Sequence, residues 1–262
     1  MPPRTIWRDI AADLRRRIKA GEWAEGERLP SVRELMDEYE TPSHGAMVRA
    51  ISTLANEGIL TTNRNAPRRG VRVRSRKPLH RKGAARYLRT PEGLAPNMAE
   101  AEEGGWNDFV TDERELEAPA SEEIARRLGI APGDPVTVAR YVWHVDDQPL
   151  QVSWQYEPLA LVRGTSIEVP VDGTRGNPGV IARFDSIGLA VDRVEEETEA
   201  RMPTPEEQEI LQLGAGVPIL AITRTHWAGQ TPVETADISI CGDRMKITTT
   251  HHVPPLDEGP QS

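Results

Sequence analysis

The chain has 262 residues, of which 37% are hydrophobic, and a formal net charge of -9. This length can bury two cores of ordinary size, and no apolar run approaches the roughly 20 residues that would cross a bilayer. The single cysteine, Cys241, excludes an internal disulfide, and the start MPPRTIWRDI lacks the apolar run of a signal peptide. We therefore expect a two-domain cytoplasmic protein.

Charge is divided unevenly along the chain. Residues 1–90 contain 20 Lys and Arg against 10 Asp and Glu, a net of +10, so residues 91–262 contain 12 against 31, a net of -19. Between Arg64 and Arg89 there are 11 basic residues and no acidic one. This asymmetry indicates a polyanionic partner for the N-terminal part.

Two helices are predicted at the start of the chain. Apolar residues recur every four positions from Ile6 to Ile18, which predicts a helix that stops at Gly21. Ser31 and Glu34 have the spacing of a capping box, so a second, short helix begins there.

A third helix and a hairpin follow. Pro42 breaks the second helix, Ser43 caps the third, and Gly58 ends it. The runs ILTT and GVRVR flank a turn-rich segment and predict a hairpin, with Arg72 and Arg74 on one side of its second strand. Short helices followed by a basic hairpin are typical of a winged helix-turn-helix, whose last helix enters the major groove of DNA.

The motifs GERLPSVRELMDEY, AISTLANEGIL and RRGVRV occur in that order within about residues 4–75 and resemble the winged helix of GntR-type bacterial transcription regulators. The resemblance implies a homodimer bound to a two-fold operator in double-stranded DNA. It implies DNA contacts from the second helix, the third helix and the wing, at Arg33, Ser43, His44, Gly45, Arg49, Arg68, Arg69, Gly70 and Arg72. His44, Ala46 and Val48 depart from the family pattern, so we expect an unusual operator sequence. The basic run from Arg76 to Arg89 fits a linker equally well.

The acidic remainder alternates hairpins with short helices. VTVARYVWHV with LQVSWQYEP, and ILAITRTHW with VETADISI, predict two hairpins, and RMKITTTHHV predicts a last strand. SEEIARRLG, NPGVIARFDS and TPEEQEILQLG predict helices. The pattern predicts an α+β fold with a mostly antiparallel sheet.

These motifs, over about residues 121–248, are similar to the UTRA domain, the effector-binding domain of the HutC subfamily of GntR regulators, which has a chorismate-lyase-like fold. The resemblance implies a small-molecule effector that bears a carboxylate or phosphate. The matching positions are Arg140, Ser153, Tyr156 and Glu234, with Arg183 as a further candidate. Arginine offers planar donors that suit an oxyanion, while Glu234 could equally pair with Arg224 or Arg244.

The predicted domains are a winged helix-turn-helix (1–76), a linker (77–118), an effector-binding and dimerisation domain (119–254) and a tail (255–262). We predict no catalytic residue, cofactor or metal site, since His251 and His252 would face opposite sides of a strand. The predicted function is a nucleoid-associated repressor, released from DNA by a small anionic metabolite. Two alternatives stay open: a C-terminal domain that only dimerises, and a lyase-like enzyme.

Overall fold

The computed structural model describes residues 7–62, 70–74, 78–89, 93, 95–106, 108–145, 148–170, 178–214 and 216–250. Within these residues a helical N-terminal part precedes a part built on a six-stranded antiparallel sheet. The predicted α+β fold class is confirmed. The predicted tail, 255–262, lies outside the described residues.

Three helices and a hairpin form the N-terminal part: α1 (Trp7–Lys19), α2 (Val32–Glu38), α3 (His44–Asn56), β1 (Leu60–Thr62) and β2 (Val71–Val73). The inner helix faces bury one apolar core, which includes Ile10, Leu14, Leu35, Met47 and Leu54. The capping box of Ser31 and Glu34 is present as predicted. The predicted hairpin is also confirmed, with Leu60 opposite Val73.

The sheet of the C-terminal part has the strand order β4-β5-β6-β9-β8-β7. Its strands are β4 (Asp108–Pro119), β5 (Pro135–Val145), β6 (Gln148–Pro158), β7 (Arg193–Arg201), β8 (Ile219–Ala228) and β9 (Thr231–Cys241). Both predicted hairpins, β5 with β6 and β8 with β9, are confirmed. Since β6 pairs with β9, the two hairpins meet at the centre of the sheet.

Short helices border this sheet: α4 (Pro96–Glu103), α5 (Glu122–Leu128), α6 (Leu159–Val162), α7 (Val180–Ser186) and α8 (Pro205–Ile210). The three helices predicted from the sequence correspond to α5, α7 and α8. Two of these begin at side-chain caps, Ser121 for α5 and Thr204 for α8. Among the described residues no helix is long and apolar enough to cross a membrane.

Residues 77–118, predicted as a linker, are largely part of the fold. They contain β3 (Leu79–Lys82), a 3-10 turn (Ala84–Tyr87), α4 and β4. The predicted last strand, β10 (Met245–Thr248), pairs in parallel with β3 and not with the large sheet. The sequence signal of β4 is weak because β4 is an edge strand with many charged residues, as is usual at sheet edges.

Arg74 joins the wing to the C-terminal part, which corrects the prediction that it shares an outer side with Arg72. Its side chain is 3% exposed. Its Nε donates to Asp243 Oδ2 at 2.7 Å, and its Nη2 donates to Asp243 Oδ1 at 3.1 Å. Because β2 ends at Val73, strand alternation does not fix the direction of Arg74.

Gly214 lets the end of α3 approach the loop between α8 and β8. A Cβ at this position would lie 2.3 Å from the carbonyl oxygen of Ala55, so a larger side chain would push the two segments apart. Nearby, Gly58 approaches Val217 in the same way. The C-terminal end of the helix that would enter DNA therefore contacts the loop before β8.

Candidate functional site

The outer face of α3 is exposed at His44, Gly45 and Val48, and Val48 is 40% exposed. Ser43 acts as the N-cap, because its hydroxyl accepts the backbone N–H of Ala46 at 3.2 Å. The buried face of the helix packs in the N-terminal core. This leaves a short, nearly uncharged surface at the start of the helix, suited to apolar as well as polar contact with base edges.

Arg49 lies beside that surface and stacks on an aromatic ring. Its guanidinium carbon is 4.4 Å from the centroid of the Trp7 ring, and that of Arg8 is 5.1 Å from the same centroid. Cation–π contact restricts both guanidinium groups without neutralising them. Two positive charges therefore flank the N-terminal end of α1 and the outer side of α3.

Of the remaining predicted DNA contacts, Arg33 is exposed in the first turn of α2. In the wing, Arg72 Nη1 donates to the carbonyl oxygen of Gly26 at 2.9 Å, so part of its fork is already used. Gly70 has φ +71, and a Cβ there would lie 2.4 Å from Arg28 Nε, which requires glycine. Arg68 and Arg69 lie outside the described residues.

A cavity of about 210 Å³ lies on one face of the sheet. Side chains of β5, β6, β8 and β9 form its floor, among them Tyr141, Trp143, Ser153, Arg224 and His226. Its other walls come from residues 81–89, 93 and 95–98 and from the start of α7. The segment predicted as a linker thus forms part of the cavity wall.

The predicted effector residues divide between the two faces of the sheet. Ser153 and Arg183 line the cavity. Arg140 directly precedes Tyr141 in β5, so by strand alternation its side chain points to the opposite face of the sheet. There it pairs with Glu113 at 2.5 Å. Tyr156 also lies on that face, where it packs against the cluster containing Ile124 and Leu128. The prediction that Arg140 and Tyr156 face the cavity is therefore wrong.

Glu234 is fully buried behind the cavity surface. Its oxygens accept hydrogen bonds from Arg224 Nη2 at 2.7 Å and from His226 Nδ1 at 2.6 Å. Of the two predicted ion-pair partners, Arg224 and Arg244, the structure therefore shows Arg224. Burial alone would raise the pKa of Glu234, but the charges and hydrogen bonds of Arg224 and His226 together outweigh burial and lower the pKa to about 2. Burial lowers the pKa of His226, against the negative charge of Glu234. Glu234 supports the cavity without reaching into it.

Two further arginines of the cavity are backed by carboxylates. Arg183 donates to both oxygens of Glu157 and, through Nη2, to the carbonyl oxygen of Ile167 at 2.9 Å. Arg81 pairs with Glu196, which also accepts the hydroxyl proton of Tyr87. These pairs hold the guanidinium groups in fixed orientations at the cavity wall.

The sequence prediction missed Arg81, Arg86 and Arg224, and the aromatic floor of Tyr141 and Trp143. One signal for the floor was available: Ser153 and Tyr141 are cross-strand partners, so a candidate at Ser153 implied its neighbour at Tyr141. No sequence signal marks Arg86, since the run in which it lies resembles a linker.

In the described part of the chain no group of three His, Cys, Asp or Glu side chains could hold a metal ion. Cys241 is buried, and burial raises the pKa of its thiol to about 11. His251 and His252 lie outside the described residues.

Both halves of the chain match known families. Residues 7–73 match the sequence model of the bacterial regulatory proteins of the gntR family, and residues 114–246 match that of the UTRA domain. An HTH-type transcriptional regulator of Streptomyces coelicolor is 29% identical over 231 residues, which cover 86% of this chain and 84% of that protein. A similar regulator of Rhizobium meliloti is 27% identical and covers 92% of this chain and 93% of that protein.

Solved structures agree with this result. A GntR-family transcriptional regulator of known crystal structure is 32% identical, with a TM-score of 0.60, over 95% of this chain and 98% of that chain. PhnF from Mycobacterium smegmatis, 19% identical, has a TM-score of 0.57 over 94% of this chain and 100% of that chain, a likeness of fold. The two curated relatives and the first of these structures are named as transcriptional regulators.

Proposed function

Because the chain belongs to the GntR family of bacterial transcription regulators and carries a UTRA domain, we propose that it is a repressor of the HutC subfamily, released from its operator by a small anionic metabolite. Regulators of this family bind DNA through the winged helix and an effector through the UTRA domain. The proposal states that the protein represses transcription, that it acts as a homodimer and that its effector is a small anion. It also assigns the protein to the cytoplasm, in association with the nucleoid.

The DNA side of the proposal rests on the exposed surface of the N-terminal part. Arg33, His44 and Arg49 are exposed around α3, and Arg72 lies in β2 of the wing, with Arg68 and Arg69 shortly before it in the sequence. Guanidinium groups at the rim would bind phosphates and set the position of the helix, while α3 would read base edges. Two copies are needed to bind half-sites about one helical turn apart, which supports a homodimer.

One observation carries the effector response: the chain that forms the cavity wall leads directly from the wing. Arg74 ends the wing and binds Asp243, and β3 starts five residues later. Asp243 in turn precedes β10, the parallel partner of β3. A ligand that moves Arg81 or Arg86 would therefore act on the same short sheet that holds the wing.

Release requires that the ligand favour the arrangement that does not bind DNA. A coupling of about 1–3 kcal/mol between the two sites would change operator affinity about 5-fold to 150-fold. The ligand can supply this free energy only through contacts that differ between the two arrangements. The cavity wall shared with β3 is the element on which such a difference would act.

The test combines operator selection with release. Full-length protein would select duplexes from a random pool at about 150 mM salt with competitor DNA, and a footprint would follow on the DNA upstream of its own gene. We expect the protein to protect a two-fold symmetric site and to dissociate from it when some of the small metabolites are added. A symmetric site that no metabolite releases would favour a C-terminal domain that only dimerises. Selection of no sequence would contradict the proposal.

A further inference from the structure

The arginines of the cavity differ in whether their charge is already compensated. Arg81, Arg183 and Arg224 each bind a carboxylate, from Glu196, Glu157 and Glu234 respectively. The acidic residue that itself lines the described part of the cavity, Asp185, is bound by Arg89 through two hydrogen bonds. These pairs offer orientation to a ligand but little net charge.

Arg86 is the exception. It lies in the 3-10 turn, lines the cavity, and its side chain is 4% exposed. The carboxylate nearest to it, that of Glu100, is 3.6 Å from Nη2, beyond hydrogen-bond distance. Its Nε and Nη1 are buried and have no hydrogen-bond partner within the described part of the chain. Unmade hydrogen bonds of a buried charged donor are costly, so an acceptor placed there would be strongly favoured.

Glu100 compensates Arg86 only in part. Its Oε1 accepts the backbone N–H of Lys82 at 2.9 Å. Burial raises the pKa of Glu100 to about 7, and the negative charge of Glu196 also raises it. The backbone hydrogen bond from Lys82 and the positive charge of Arg81 lower this pKa but do not cancel the effect of burial. Near neutral pH Glu100 is therefore only partly ionised, so the wall around Arg86 has a net positive charge on average.

The rest of the lining favours an apolar ligand body. Trp143, Val110 and Ile238 lie on the sheet side, and Met98 and Ile181 lie on the helices that cover it. Uncharged hydrogen-bonding groups come from Gln151, Ser153 and Gln155. A ligand with many charged or hydroxyl groups would leave several of them against apolar walls, which is unfavourable.

We propose that the cavity binds a small monoanion, a single carboxylate on an apolar body, with Arg86 as its ionic partner, in preference to a phosphate ester. This inference rests on the proposed effector function and narrows it. A dianion would bring a second negative charge into a wall that has one cation whose charge is only partly compensated. It would have to separate an existing Arg–Glu pair, which leaves a buried carboxylate unpaired.

The experiment is calorimetric titration of the full-length protein with matched probes. Phenylacetate and 4-methylpentanoate supply the carboxylate on aromatic and aliphatic bodies, phenylacetamide removes the charge, and phenyl phosphate doubles it. We expect at least one of the carboxylates to bind tenfold or more tightly than both phenylacetamide and phenyl phosphate. Tighter binding of phenyl phosphate, or equal binding of the amide, would overturn the inference.

Variants assign the preference to Arg86. Arg86→Gln should reduce carboxylate affinity about tenfold or more and abolish the preference over the amide, whereas Arg86→Lys should keep part of it. Arg126→Gln is the matched control, since Arg126 is exposed on α5, pairs with Glu123 and does not line the cavity. Equal losses in the Arg86→Gln and Arg126→Gln proteins would contradict the assignment.

Glu100→Gln gives a second test that does not depend on the folding of the Arg86 variants. Removing the residual negative charge should raise carboxylate affinity about threefold or more at pH 8 and leave amide affinity unchanged. Unchanged carboxylate affinity would contradict the inference that Arg86 carries a charge that Glu100 does not fully compensate. Binding of no probe would overturn the inference, and release of operator DNA by a metabolite extract would then show whether the proposed effector function survives.

Discussion

Two arginine-rich regions of the molecule, the winged helix and the cavity, use the same side chain in opposite ways. Around α3, Arg33 and Arg49 are exposed, and their charges face solvent. In the cavity, Arg183 and Arg224 are buried and bound to carboxylates. Exposed guanidinium groups can bind DNA phosphates in place of solvent counterions. Guanidinium groups that are paired with carboxylates form a rigid wall around one small ligand.

The basic run from Arg64 to Arg89 connects these regions and belongs to both. Arg72 lies in the wing, Arg74 binds Asp243 at the contact between the two parts, and Arg81 and Arg86 line the cavity. A count of charges along the sequence therefore overstates the DNA-facing surface. What decides the role of each arginine is the carboxylate or carbonyl that the fold places beside it.

The largest expected effect concerns a buried pair of the cavity. Glu234→Gln leaves the buried charge of Arg224 without its partner, so we expect a loss of about 3–5 kcal/mol in the free energy of unfolding. Denaturant unfolding would measure it. The same substitution at Glu113, the exposed partner of Arg140, should cost less than about 1 kcal/mol. Equal losses would mean that the two kinds of arginine do not differ in solution.

A pH-dependent effect of similar origin is expected at Glu100. Its pKa is about 7 in the folded protein against an ordinary 4.5, so folding favours the protonated form. The contribution of Glu100 to the free energy of unfolding is therefore fully present below about pH 4.5. This contribution declines by about 3 kcal/mol as pH rises through about 7. Glu100→Gln should lack this decline, while the exposed neighbour variant Glu102→Gln should keep it. Parallel curves of melting temperature against pH for wild type and Glu100→Gln would contradict the assignment.

The contact between the regions should give a smaller coupling. A double-mutant cycle of Arg74→Ala and Asp243→Ala, measured by denaturant unfolding, should yield an interaction free energy of about 1–3 kcal/mol, because Arg74 is buried. The exposed pair Arg163 and Glu117 serves as the reference, with an expected coupling below about 1 kcal/mol. A coupling near zero at Arg74 would mean that the wing is not held to Asp243.

The smallest effect is expected on the outer face of α3. Val48 is an apolar side chain where it can contact a thymine methyl group, worth about 1 kcal/mol. Val48→Ala should weaken binding to the selected operator about fivefold. Replacement of the contacted thymine by deoxyuridine should weaken wild-type binding equally and leave the variant unaffected. Independent, additive losses would show that Val48 does not read that methyl group.

Local signals in the sequence were sufficient for most elements. Ser31 with Glu34, Ser43, Ser121 and Thr204 each mark a helix start found in the structure, because a cap depends only on residues three positions apart. The hairpins followed equally well from alternation and turn residues. The edge strand β4 was missed because its many charged residues hide the alternation.

The cavity required knowledge of which face each residue occupies. Ser153 and Tyr156 are three positions apart in one strand, so alternation alone separates them, and a resemblance between families did not. Arg86 could not be assigned from sequence, because its role depends on the distance to Glu100 and on a fold that brings residues 81–89 and 95–98 over the sheet.

The most direct test of the central claim is the salt dependence of operator affinity for wild type, Arg33→Ala and Arg86→Gln. We predict that Arg33→Ala lowers affinity and reduces the slope of log K against log salt by about one, the value for one lost phosphate contact. Arg86→Gln should leave both affinity and slope unchanged. A reduced slope in the Arg86→Gln protein, or an unchanged one in the Arg33→Ala protein, would contradict the division of arginines between DNA and cavity.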